Sequence, residues 1–598
     1  MKSWTLFLFL CSIFLVPAQD AFSATEHFTT ENNVAIPMRD GVVLRADILR
    51  PAAIGRKFPV LVYRTPYGKD AAQREYTTFQ HAVERGYAVV IVDVRGRYHS
   101  DGEFRPYENE GRDGYDTIEW AAAQPWSNGA VGTFGLSYPG AVQWLAAVEN
   151  PPHLKAMVPA MTFSTPQNFF FAGGTWDMSW MEWIWDNIAW DIRVKKNLPG
   201  PHTDEESLSA WKVEGPKMQS ALPLTNVPQL QQVAPFYFDW LHHPAEDPWW
   251  EWSELRNKYS RTHAAVLNLS AWYDDNYGPE GATTNYAGLL KARSPGKDKD
   301  KDKDPQTRLL LGSWVHGVAN TGKTKSGERE FGPSAAIDYD DVVLRWMDRY
   351  LKGDKNGTER EKPVRYFAMG ANQWRESDVW PPQSQLAPFF FAPPKAGDRH
   401  GTLATKVEPQ PENFSEFASD PANPVVNEYE SSGAHDYRKL AERADVLTFD
   451  SSILEKDTEV TGPIQARMFV SCDCRDLDLW VRLEDVSRDG TAFNLMSPGL
   501  DVLRASYRDL SRGRQWLEPG KIYELSLNNL ITSNVFLKGH RIRVQVSGSF
   551  FPNFSRNLQT GKSEVDSAEV RKSRIRIYND AQHPSQIVLP VVGSGKVS

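Results

Sequence analysis

The sequence predicts an α/β protein that carries an inserted helical segment and an all-β C-terminal part. Three observations predict it. Continuous apolar runs separated by polar or helical segments recur early in the chain, as in a parallel sheet covered on both faces. A Trp-rich stretch with no convincing strand interrupts them over 162–261. From about Pro363 the periodicity becomes alternating, with Gly and Pro turns, which suits a β-sandwich or jelly roll.

The elements follow in order. At 598 residues the chain is too long for one core. The pattern divides it into a signal peptide (1–23), a first α/β part (30–161), a helical cap (162–261), a second α/β part (262–360) and a jelly-roll β-sandwich (363–598). Lys2 precedes an apolar run over 4–16, too short to span a bilayer comfortably, with cleavage expected after Ala18 or near Ser23 and Ala24. A short membrane anchor is the alternative. Cys11 lacks the preceding small residue of a lipoprotein signal. Cleavage implies an exported protein, periplasmic or secreted, with no membrane association.

A hairpin is expected over 34–50, turned at Arg39-Asp40-Gly41, then strands over 60–63, 88–92, 131–134 and 156–158. Trp176, Trp180, Trp183, Trp185 and Trp190 fall at roughly helical spacing. Strands resume over 266–269 and 309–311. Between them the Lys-Asp run 297–304 reads as a solvated loop. A helix ends at Tyr350-Leu351-Lys352 with Gly353 as its cap. The β part includes strands over 477–483 and 541–546.

A net charge of -9 leaves no basic face for nucleic acid. After cleavage only Cys472 and Cys474 remain, two apart in a strand-like segment. They are expected to be structural thiols, a strained bridge being the alternative. No four-Cys site or His-x-x-x-H pair occurs, so no metal and no cofactor is expected.

Chemistry concentrates at Gly135-Leu136-Ser137-Tyr138-Pro139-Gly140, between an apolar strand and a helix-like segment. Strand, Gly-flanked turn with a central Ser, then helix is the nucleophile elbow of an α/β-hydrolase. The usual spacing is G-x-S-x-G. Here the second Gly comes one residue late and Pro139 takes its place, which the first turn of a helix tolerates. An ordinary Gly-rich turn is the competing reading. A Ser hydroxyl needs a base, an orienter for that base and donors for the oxyanion. In this fold acid and then His follow the Ser, each after a strand. The strand near 266–270 runs into Asp274 and Asp275. The strand near 309–311 runs into His316, the one His between Asp274 and the β part. His99, His242 and His243 fit that order less well.

On these motifs the chain resembles the CocE/NonD serine hydrolases, the group of cocaine esterases, X-Pro dipeptidyl-peptidases, α-amino acid ester hydrolases and glutaryl-cephalosporin acylases. The resemblance spans nearly the whole mature chain. It rests on Tyr63-Arg64-Thr65-Pro66-Tyr67, on Asp93-Val94-Arg95-Gly96-Arg97-Tyr98 with Ser100-Asp101-Gly102, and on the elbow with its late Gly. It also rests on Trp272-Tyr273-Asp274, on Trp314-Val315-His316-Gly317, and on two β-domain segments, Arg365-Tyr366-Phe367-Ala368-Met369-Gly370 and Gly539-His540-Arg541-Ile542-Arg543.

The resemblance implies roles. Ser137 is the nucleophile, His316 the base, and Asp274, which directly follows Trp-Tyr, the orienter. The Tyr67 hydroxyl and the Tyr138 backbone N–H form the oxyanion hole; Pro139 has no N–H to give. The cap covers the site. Trp176, Trp180 and Trp183 are candidate walls for an acyl group, although most cap Trp residues are expected to pack the cap onto the core. Asp177 and Asp275 are candidates for holding a substrate amine, and Asn276 and Tyr277 depart from the acidic residues of amino-ester hydrolases. The expected activity is hydrolysis of a small ester or amide, with X-Pro dipeptidyl-peptidase activity on short peptides as the alternative. A non-catalytic carbohydrate- or partner-binding protein is the remaining class.

Overall fold

Two β-rich bodies and a layer of helices make up the computed structural model, which describes residues 28–53, 55–166, 169–274, 278–293, 306–407, 413–497 and 500–593. The segment expected to be a signal peptide, Asp275 and the Lys-Asp run lie outside the described residues.

The first sheet has ten strands. It opens with the hairpin β1 (Phe28–Pro37) and β2 (Val43–Pro51), antiparallel with Ile36 opposite Leu44. Then come β3 (Phe58–Thr65), β4 (Ala88–Asp93), β5 (Ser127–Leu136) and β6 (Leu154–Ala160). The order β1-β2-β4-β3-β5-β6 continues through strands Ala265–Tyr273, Thr307–Val315, Val364–Ala368 and Gln373–Ser377. Pairing is parallel from β4 to Val364–Ala368. Strands β3 and β4 are buried at every position, as expected of a sheet covered on both faces. Helices cross over it, among them α1 (Lys69–Glu75), α2 (Thr78–Glu84), α3 (Glu110–Ala122) and α4 (Tyr138–Ala147).

The sheet runs further than the sequence pattern suggests. Residues 364–377, expected in the jelly roll, complete the first sheet: Val364–Ala368 pairs with Thr307–Val315, and Gln373–Ser377 pairs antiparallel with Val364–Ala368. Alternation marks a strand but not its partner, and here the partner is a parallel strand of the earlier body. The β domain proper is a twelve-stranded, mostly antiparallel sheet between Ser384 and Val592.

The inserted segment is helical, with helices Ser179–Trp183, Trp190–Lys196, Asp204–Ser220 and Pro235–His242. A π-helical turn, Ile184–Ala189, separates the first two. The closing helix Tyr339–Met347 also continues as a π-turn, Asp348–Lys352, and stops at left-handed Gly353. Cys472 and Cys474 are joined by a disulfide, the option the spacing disfavours. The strand ends at Cys472, and the turn that follows brings both sulfurs together.

Among the described residues no helix is long and apolar enough to cross a membrane.

Candidate active site

Ser137 stands in the turn between β5 and α4 with φ at 70°, in the left-handed region. That strained conformation lifts its hydroxyl clear of both elements. Its neighbours are small for defined reasons. A Cβ on Gly135 would lie 2.5 Å from Pro139 Cβ, and one on Gly140 would lie 2.5 Å from the Ala160 carbonyl oxygen. The late glycine is thus needed where α4 crosses β6. Beneath the turn, the buried Gln143 Nε2 donates to the carbonyls of Pro139 (2.9 Å), Val158 (3.1 Å) and Gly135 (3.2 Å). Its Oε1 accepts from Thr133 Oγ1 at 3.1 Å. One amide therefore ties β5, α4 and β6 under the serine.

Asp274 and His316 follow neighbouring parallel strands, Ala265–Tyr273 and Thr307–Val315. His316 Nδ1 lies 2.8 Å from Asp274 Oδ1. The carboxylate is fully buried, while the imidazole side chain is 19% exposed and reaches the cavity. The Trp of each motif is an anchor: Trp272 Nε1 donates to the Phe367 carbonyl and Trp314 Nε1 to the Ala335 carbonyl, both at 2.8 Å. The β domain braces the acid's loop, because the Tyr273 hydroxyl donates to the Asn494 carbonyl (3.0 Å) and the Ser497 N–H to the Trp272 carbonyl (3.2 Å).

The Tyr67 hydroxyl accepts from Trp183 Nε1 at 3.1 Å and lines the same cavity as Ser137. Burial pushes its phenol up to about 12, with the neighbouring Trp183 and Ser137 side chains pulling the other way. At neutral pH it is a protonated donor beside the serine. Tyr138 contributes differently. Its hydroxyl is committed to Glu110 Oε1 (2.8 Å) and its ring stacks on Tyr107 at 4.1 Å. As the first residue of α4 its backbone N–H has no acceptor within the helix, and it sits at the positive end of the helix dipole.

Ser137, His316 and Tyr67 share the wall of a cavity of 710 Å³ with Trp183, Asp186 and Trp190 of the inserted helices. Of the expected wall residues only Trp183 lies there. Trp176 and Trp180 are buried in the aromatic packing that seats the cap, against Phe170 and Trp240. Asp177 also lies off the wall; its Oδ1 accepts from the Ser179 N–H (2.9 Å) and its backbone bridges to Phe554. The helical segment presents 183, 186, 187 and 190 to the cavity, whereas Trp180 packs on Phe169 and Phe170 and Trp176 precedes the helix, in the short strand Thr175–Trp176.

Three contributors carry little sequence signal. Gln143 sits in an otherwise apolar helix, which is itself a hint of a buried polar duty. Arg97 is quoted in a motif but its role is invisible there: its guanidinium, fully buried, donates to the carbonyls of Pro66, Ile188 and Asn187, each at 2.8 Å. Asp186 is hidden among tryptophans. Among the described residues no group of His, Cys, Asp and Glu could hold a metal ion.

Comparison with known proteins identifies the family. Residues 40–318 match the family model of X-Pro dipeptidyl-peptidase (S15 family), and 356–588 match the X-Pro dipeptidyl-peptidase C-terminal non-catalytic domain. Cocaine esterase of Rhodococcus sp. (strain MB1 Bresler) is 33% identical over 598 residues, covering 95% of this chain and 99% of the relative. Two solved structures share the fold. An aminopeptidase from the marine sediment archaeon Thaumarchaeota archaeon has TM-score 0.79 at 23% identity, over 97% of this chain and 99% of its own. An α-amino acid ester hydrolase has TM-score 0.79 at 24% identity, over 96% and 98%.

Proposed function

This chain belongs to the S15 X-Pro dipeptidyl-peptidase family of serine hydrolases, which act on ester or amide bonds, and from that membership we propose that Ser137, His316 and Asp274 are its catalytic triad. The observation that carries the proposal is the 2.8 Å His316–Asp274 pair opening on the same cavity wall as Ser137. In this reading His316 Nε2 takes the Ser137 proton as Oγ attacks the substrate carbonyl. Asp274 holds Nδ1–H and stabilises the imidazolium. The oxyanion accepts hydrogen bonds from the Tyr67 hydroxyl and the Tyr138 N–H. Collapse expels the leaving group, which takes the proton from His316, and leaves an acyl-Ser137 ester. Water, deprotonated by the same imidazole, then releases the acid.

The substrate is a small ester or amide. The family match favours a second reading, release of X-Pro dipeptides from short peptides. Rates over KM for acyl esters, aminoacyl esters, X-Pro anilides and β-lactam amides decide between them: a leading rate on simple esters supports the first, and a leading rate on X-Pro anilides replaces it with the second. Export is proposed on Lys2 and the apolar run 4–16, and the N-terminus of the mature protein tests it.

A further inference from the structure

We propose that Arg482, Glu484, Gln545 and Thr448, on one face of the β domain, form an enclosed site that binds a cluster of water molecules. The inference stands apart from the reading of Ser137.

The sheet register brings the four side chains together. Strands Leu447–Asp450, Arg541–Ser547 and Asp478–Val486 lie side by side. Gln545 is directly opposite Thr448 on one side and Arg482 on the other, so the three form one row on one face. Glu484 lies two residues along the strand from Arg482 and so shares that face. All four are buried, and Arg482, Glu484 and Gln545 completely so.

Within the protein their polar atoms are left unpaired. None of the three Arg482 nitrogens has a hydrogen-bond partner, nor has either Glu484 oxygen, either end of the Gln545 amide or the Thr448 hydroxyl. The next row does not relieve them. Arg543, opposite Glu484, is forked onto Asp450 at 2.6 and 3.0 Å. Rings enclose the Arg482 guanidinium, whose carbon lies 3.7 Å from the Tyr437 ring centre, 4.6 Å from that of Phe550 and 5.3 Å from that of Trp480. The rings hold its charge, but its in-plane N–H groups still need acceptors. Burial pushes the Glu484 carboxyl up to about 7 and the Arg482 guanidinium down, the directions expected of charges short of solvation.

The donor and acceptor set identifies the guest. One cation and one anion leave no net charge to supply. The guest has to accept from Arg482 and Gln545 Nε2 and donate to Glu484 and Gln545 Oε1. An anion would serve the guanidinium and repel the carboxylate, and a metal cation would do the reverse. Water does both, and in an enclosed polar site it makes about three hydrogen bonds. The cluster underlies the segment that braces the loop beyond His316: Tyr437 covers it, and three residues earlier Ala434 bridges to Gly327 and accepts from the Glu328 N–H at 2.7 Å.

A high-resolution crystal structure of the full wild-type chain tests the proposal. Ordered waters should stand about 2.7–3.2 Å from the Arg482 nitrogens, the Glu484 oxygens and the Gln545 amide, each held by two or more of these groups. A dry strip in which the four side chains bond to one another overturns it, as does density that refines as an ion. Magnetic relaxation dispersion of the water oxygen counts long-lived internal waters in solution. Replacing the charged pair together, Arg482→Met with Glu484→Leu, should lower its amplitude by about two waters or more, and an amplitude equal to wild type overturns the proposal. If the double variant does not fold, the wild-type crystal structure decides alone.

Discussion

The Trp183 indole N–H donates to the Tyr67 hydroxyl at 3.1 Å, so a residue of the inserted helices orients the donor beside the serine. Trp183→Phe keeps an aromatic wall and removes that hydrogen bond. The expected result is a fall in kcat of about five- to tenfold, the value of about 1 kcal/mol, with a smaller change in KM. Steady-state kinetics on one ester checks it, and an unchanged kcat removes the orienting role.

Tyr67 itself should matter more. Tyr67→Phe deletes an oxyanion donor and should lower kcat by about 10²–10³. The pH profile gives an independent reading. With its phenol held near 12 by burial, Tyr67 stays a donor throughout the alkaline range in which an ordinary tyrosine ionises. The donor is lost only as pH rises through about 12, so kcat should show no loss near pH 10 attributable to Tyr67. A fall at pH 10 that Tyr67→Phe abolishes would show the hydroxyl to be solvent-like.

Asp274 and its sequence neighbour Asp275 separate by kinetics. Asp274→Asn should leave the strands intact and lower kcat by about 10⁴, because the imidazole then takes the wrong tautomer. Asp275→Asn should retain most activity. The reverse order would move the orienting role one residue along the chain.

Gln143 tests the architecture beneath the serine. Gln143→Leu strips hydrogen bonds from the carbonyls of Gly135, Pro139 and Val158, and each buried carbonyl left unpaired costs about 1–3 kcal/mol. Thermal unfolding should shift downward and ester hydrolysis should fall with it. A variant with unchanged unfolding temperature and rate would show that the elbow holds without its staple.

The fold was legible where one local rule decides it. Buried apolar runs marked β3 to β6, and Gly353 marked the end of a helix. The order Ser, Asp, His picked out residues that follow strands of one parallel sheet, β5 and, beyond β6, the adjacent strands Ala265–Tyr273 and Thr307–Val315, because chain order and sheet order coincide there. What stayed hidden depends on contacts between distant segments. Strand pairing across 364–377 is not written in alternation. Which tryptophans face the cavity depends on a π-turn held by Arg97, and hence on a contact across about ninety residues. The Cys472–Cys474 bridge depends on where a strand stops. Trp176 and Trp180 show the general limit: helical spacing puts residues on a face, but the neighbour packed on that face decides whether it is a wall or a core.

The central claim is that Ser137 is the nucleophile. Reaction of the folded protein with a fluorophosphonate, followed by peptide mass mapping, tests it most directly. The account predicts one phosphonylated residue, Ser137, with loss of ester hydrolysis in step with labelling and no labelling of Ser137→Ala. An enzyme that still hydrolyses esters while Ser137 stays unlabelled, or whose label maps to another residue, would contradict it.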